Sequence, residues 1–115
     1  MTILHLALRS DWEQAQRAGS YRMSTRGIDL DTEGFIHASR PHQWAGVRER
    51  YYADLDDAEL VLLEIDVAVL AEAGVEEREE PAAPGAEELF PHLYGPLPLG
   101  AVVREWELSE APREG

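Results

Sequence analysis

The sequence predicts an α+β fold, in which a small twisted sheet, antiparallel or mixed, carries two short helices. Two apolar stretches of period two, 2–8 and 60–67, have strand patterning, whereas helical spacing is confined to the short segments 11–18 and 39–53. Between 76 and 100 there are five prolines and three glycines, too many for a long regular element. At 115 residues the chain is sized for one hydrophobic core. Residues 1–110 are therefore expected to form a single domain, and 111–115 a polar C-terminal tail.

In Thr2–Leu8, Leu4, Leu6 and Leu8 share one face and Ile3, His5 and Ala7 the other, as in a first strand. Ser10 and Glu13 stand at capping-box spacing, Trp12 and Ala15 begin an apolar face, and Gly19 stops it, which predicts a helix over 11–18. Tyr21–Glu33 reads as a polar loop, and Gly34–Ser39 as a second strand from its Phe and Ile. Ser39 as N-cap and Pro41 in the first turn then open a helix to about Ala53, with Trp44, Val47 and Tyr51 facing the core. Leu60–Val67 presents Val61, Leu63, Ile65 and Val67 on one face and Glu64 and Asp66 on the other, a half-buried strand followed by a turn that packs Val69 and Leu70. Residues 76–88 read as an exposed loop with at most a short edge strand near Val75–Arg78. Leu89–Gly100 holds three prolines and is expected to be a fixed extended turn rather than a central strand. Ala101–Leu108 closes the chain as a strand with Trp106 on its buried face.

The chain has no cysteine, which excludes disulfides, thiolate nucleophiles and thiolate metal sites. It has no lysine, which excludes lysine Schiff-base chemistry. The N-terminal MTILHLALRSDW lacks a basic leader and a long apolar run, so neither a signal peptide nor a spanning helix is expected, and a cytoplasmic location is the simplest fit. A net charge of -13 argues against nucleic acid and anionic membrane as partners, since both require basic groups. The charge is uneven. Residues 1–50 carry seven arginines against six acids, a net of +1, and residues 51–115 carry three against seventeen, a net of -14. Any anion site accordingly belongs to the first half.

Two segments could carry chemistry. In GFIHAS, His37 lies near a strand end just before the expected helix N-terminus, where free backbone N–H groups would join Ser39 and Arg40 in holding an anion or phosphate, with Gln43 adding an amide. The competing account is a partly buried His37 bonded to backbone and a Ser39 that only caps. In FPHLYGPLPLG, proline and glycine fix the backbone around His92 and Tyr94, either to present them rigidly or to plug the sheet edge. His37 and His92 are the candidate catalytic residues, and His5, Ser39, Arg40, Gln43 and Tyr94 the candidate ligand-binding residues. If His5 shared a face with His37, three imidazoles could converge on zinc. No local ligand spacing supports that, and no metal is expected.

GFIHAS with Gln43 downstream, the LVLLEID strand and FPHLYGPLPLGAVV together resemble the family known as domain of unknown function 952, over nearly the whole chain. That family is grouped with the ADP-ribosyltransferase-like fold, which also holds the RNA 2'-phosphotransferases. The resemblance therefore implies that fold, and NAD or a related ADP-ribose compound as a ligand or substrate, with no resident cofactor. In the transferase pattern a first-strand histidine, here His5, is followed two residues later by a hydroxyl residue, a position occupied here by Ala7. Glu77 lies nearest to the place of the late glutamate. The expected function is binding of a small anionic, nucleotide-like metabolite, as an ADP-ribosyl or phosphoryl transferase-like enzyme or as a non-catalytic metabolite-binding or protein-interaction module.

Overall fold

The period-two patterning of the N-terminus forms β1 (Thr2–Leu8), and the chain passes without a loop into α1 (Arg9–Ala18). In the computed structural model, which describes residues 1–114, there follow β2 (Ser20–Tyr21), β3 (Met23–Thr25), β4 (Ile28–Asp29), α2 (Leu30–Glu33), β5 (Ile36–His37) and α3 (Trp44–Tyr51). The second half comprises β6 (Leu60–Asp66), α4 (Val67–Glu72), β7 (Glu76–Pro81), β8 (Leu89–Tyr94), β9 (Leu97–Pro98) and β10 (Val102–Trp106). The α+β expectation holds, with several small antiparallel sheets and four helices rather than two.

β6 lies between β1 and β10, antiparallel to both, with Leu63 opposite His5. β8 lies between β5 and β7, again antiparallel. Reciprocal hydrogen bonds between Leu4 and Ser39, at 2.8 and 2.7 Å, link β1 to the chain just beyond β5 and so join the two three-stranded sheets. The pairs β2–β9 and β3–β4 complete the pairing.

Both faces of β1 and β6 are apolar, so both are covered. Ile3, Ala7, Val61, Leu63 and Ile65 pack with Trp12, Tyr21, Ile36, Leu70 and Leu93 on one side. Leu4, Leu6, Leu60 and Leu62 pack with Trp44, Val47, Tyr52 and Leu108 on the other. Leu60–Asp66 is thus a doubly buried strand, not the half-buried one its two carboxylates suggest. Among the described residues no helix is long and apolar enough to cross a membrane.

Several local expectations are corrected. α1 begins at Arg9, so Ser10 lies within its first turn and no side chain caps it. The predicted loop 21–33 contains three short strands and α2, whose N-cap Asp29 accepts the Thr32 N–H at 2.9 Å. α3 starts five residues after Ser39, and because it ends at Tyr51, that tyrosine is 45% exposed while Tyr52 turns into the core. Val69 and Leu70 belong to a helix, α4, capped by Asp66. β7 and β8 occupy segments expected to be irregular. Pro91 is tolerated inside the central strand because antiparallel residues direct N–H and C=O to the same neighbour. Its carbonyl accepts the Ala38 N–H at 2.9 Å, and the reciprocal bond is the one ladder bond the proline forgoes. The expected polar tail covers Trp44: Pro112 accepts its indole N–H at 2.7 Å and Arg113 stacks on the ring, while Gly115 lies outside the described residues.

Candidate functional site

The pairing of β5 with β8 sets His37 directly opposite His92. Strand alternation then gathers Phe35, His37, Phe90, His92, Tyr94 and, from β7, Glu80 on one face of this sheet. The two imidazole centroids are 5.5 Å apart. Both candidate catalytic residues thus share one site, although 55 positions separate them in sequence.

His92 is held on three sides. Phe35 stacks on its ring at 3.9 Å and 9°, Glu80 lies 2.9 Å from Nδ1, and Tyr94 donates its hydroxyl to the same Glu80 oxygen. The Tyr94 and His92 hydrogen bonds hold the Glu80 carboxyl below its ordinary range, so it is ionised and can only accept. Nδ1 therefore donates to it, and where the ring holds a single proton the lone pair lies on Nε2. That atom is buried and has no hydrogen-bond partner among the described residues. The same Glu80 bond raises the Tyr94 phenol, keeping it protonated as donor.

His37 is fixed through its backbone. Its N–H donates to the Ser24 hydroxyl at 3.1 Å, and its carbonyl accepts from His5 Nδ1 at 2.6 Å. The ring packs against Phe90 at 4.9 Å between centroids. Burial, with repulsion from His92 and His5, lowers His37 to about 4, so it is neutral at physiological pH. His5 is also lowered to about 4 by burial, partly opposed by its bond to the His37 carbonyl. Its other nitrogen accepts from the Tyr21 hydroxyl at 2.8 Å.

The ligand-binding expectations divide accordingly. Tyr94 joins the two histidines through Glu80. His5 is only 2% exposed with both nitrogens engaged within the protein, and it positions the His37 backbone. Ser39 heads no helix, because its backbone is committed to Leu4 and α3 starts at Trp44. Arg40 reaches Glu79 at 2.7 Å and Glu77 at 3.8 Å, residues that alternation places on the opposite face of the sheet. Gln43 serves as a brace: Oε1 accepts the Arg40 N–H, and Nε2 donates to Glu88 and the Leu89 carbonyl. Among the described residues no group of three His, Cys, Asp or Glu side chains suits a metal ion.

Two clefts flank the histidine pair. One, of about 310 Å³, lies between His37, Phe90 and α3, where Gly46, Val47, Arg50 and Tyr51 form the far wall and His42 and Glu88 the rim. The other, of about 440 Å³, is lined by Glu33, Phe35, Glu80, His92 and the segment 81–84. Ala82 contributes to both. Arg50 has no carboxylate partner among the described residues, unlike Arg9, Arg22, Arg26, Arg40, Arg48 and Arg78.

Sequence reasoning missed Glu80, Phe35, Phe90 and Arg50 as site residues. Reading 76–81 as a strand paired with 89–94 would have put Glu80 beside His92, but the run of glutamates carries no strand signal. Glu77, the position nearest the implied late glutamate, sits with Arg40. Hydrogen bonding to Glu79, burial and Glu79 repulsion push it up to about 7 against the opposing pull of Arg40.

The family described as Protein of unknown function (DUF952) matches residues 6–105. The crystal structure of protein CC0527 from Caulobacter crescentus is similar, with 30% identity and a TM-score of 0.74 over 93% of this chain and 85% of that one. Its solution structure matches with 27% identity and a TM-score of 0.66, covering 97% and 91% of the two chains. No curated protein matches the chain.

Proposed function

The chain belongs to the DUF952 family of proteins of unknown function, and within it we propose that this protein binds a small anionic, nucleotide-like ligand in the cleft between His37 and α3. The observation that carries this reading is the convergence there of Arg50, which has no carboxylate partner among the described residues, with the neutral imidazole of His37 and the aromatic walls Phe90 and Tyr51. A guanidinium suits a phosphate, aromatic faces suit a base, and a cleft of about 310 Å³ is at the small end of ligand sites. The anion is thus assigned to the basic first half of the chain, at Arg50 rather than at Arg40.

NAD and ADP-ribose remain within this ligand class. Binding is favoured over ADP-ribosyl transfer, because His5 is spent on internal hydrogen bonds, position 7 is alanine, and Glu77 faces away from the histidines.

Calorimetric titration with adenosine monophosphate, ADP-ribose and NAD tests the reading. Arg50→Ala should weaken binding by about tenfold or more, in line with the loss of a charge-assisted hydrogen bond. Gly46→Leu should abolish it with the fold retained, since a Cβ built at Gly46 has no neighbouring heavy atom within 4 Å and the side chain would occupy the cleft. Unaltered binding in both variants, or no binding of any of the three ligands to the wild type, would overturn the proposal.

A further inference from the structure

His92 is 1% exposed, yet its Nε2 has no hydrogen-bond partner among the described residues. A buried ring nitrogen left in that state is unfavourable unless something supplies a partner. The rest of the ring is over-determined: Glu80 fixes the tautomer, Tyr94 fixes Glu80, and Phe35 fixes the ring plane. A structural histidine would need none of this on one edge while its other edge stayed unpaired. His92 also forms part of the wall of the second cleft, adjacent to His37 in the first.

The segment 82–88 borders both clefts: Ala82, Ala86 and Glu88 line the first, and Ala82, Ala83 and Pro84 line the second. All seven of its residues are exposed, and its internal backbone bonding is the single Ala86 N–H to Ala83 carbonyl contact at 3.1 Å. Displacing such a segment requires little free energy. A ligand whose phosphate sits at Arg50 can then extend past His37 to His92.

Resting on the proposed anion cleft, we infer that His92 Nε2 is the acceptor for a hydroxyl of the ligand, which makes the ligand a hydroxyl-bearing anion such as a ribonucleotide or sugar phosphate. Glu80 and Tyr94 act as positioning residues: they hold a proton on Nδ1, so that the neutral ring offers Nε2 to a hydroxyl donor and a deoxy analogue leaves it unpaired. A site built to bond a hydroxyl discriminates strongly against a ligand that lacks it, because its buried polar group is left unpaired.

The test is a calorimetric comparison of adenosine monophosphate with its 2',3'-dideoxy analogue, on wild type, His92→Phe and Glu80→Gln. The wild type should prefer the hydroxylated ligand by roughly 10- to 100-fold, His92→Phe should erase the preference, and Glu80→Gln should reduce it, with affinity for the dideoxy ligand little changed. Equal binding of the two nucleotides by the wild type overturns the inference while leaving the anion cleft standing. So does a preference that survives in a folded His92→Phe. Failure of both nucleotides to bind the wild type removes the anion cleft itself. If His92→Phe does not fold, the wild-type comparison alone decides.

Discussion

Replacing His5 by leucine perturbs the contact that fixes the backbone of His37, and its effect on stability should depend on pH in a calculable way. Near pH 7.5 the wild-type imidazole is neutral and bonds the His37 carbonyl and the Tyr21 hydroxyl. Leucine leaves both groups buried without that partner, at about 1–2 kcal/mol each, or about 3 kcal/mol together. Burial lowers the folded-state value from 6.5 to about 4. Below about pH 6.5 the unfolded chain therefore binds the proton and the folded one does not, so His5's share of stability is complete above that value and is lost as pH falls toward about 4. For one site with these two values, the loss between about pH 7.5 and about pH 5 is about 2 kcal/mol. The leucine variant cannot suffer it. The stability difference between wild type and variant should accordingly shrink from about 3 to about 1 kcal/mol over that interval. Urea unfolding followed by tryptophan fluorescence at the two pH values measures this directly, and titration of other groups, His37 and Glu77 included, largely cancels in the comparison. An equal difference at both pH values would show that His5 is not held neutral by burial.

Glu77, pushed up to about 7, has the opposite sign: its contribution is complete below its ordinary value and is lost as pH rises through about 7. Glu77→Gln should raise stability by roughly 1 kcal/mol near pH 8, allowing for solvent screening, and leave it unchanged near pH 5, as thermal melts would register. A methyl group at Gly95 would lie 3.2 Å from Val75 Cγ2, so Gly95→Ala should cost about 1 kcal/mol in urea unfolding. Val75→Ala in the same chain should recover part of that loss if the contact is the cause.

The strands that form the centre of the fold were legible because their cause is local. Thr2–Leu8 and Leu60–Asp66 show period-two or continuous apolar patterning, and burial acts on that pattern wherever the chain lies. Trp12, Ala15, Trp44 and Val47 were legible as core for the same reason. His37, His92 and Tyr94 could be picked out from their unusual segments and do share one face. Gln43 and Arg40, expected to hold a ligand, are bonded to protein groups in this structure.

What the sequence left open were features decided by partners distant in the chain. Glu76–Pro81 is a strand because β8 offers it a ladder, against its charge and with little intrinsic preference. Ser39 reads locally as a cap, yet its N–H and carbonyl are taken by Leu4, 35 positions earlier, and α3 must start later. Glu80 joined the site only when β7 and β8 came into register, and Arg50 was distinguished from Arg40 and Arg48 only by which of them found a carboxylate. By itself the sequence determined which segments would supply the core and which were chemically unusual, since side-chain hydrophobicity and backbone restriction belong to each residue, although Tyr52 and not Tyr51 is the buried tyrosine at the end of α3. Tertiary structure alone decided which hydrogen-bonding and charged groups would meet and which, like His92 Nε2, would be left unpaired. Satisfying a polar group depends on the identity and register of a partner strand, and no local pattern encodes that.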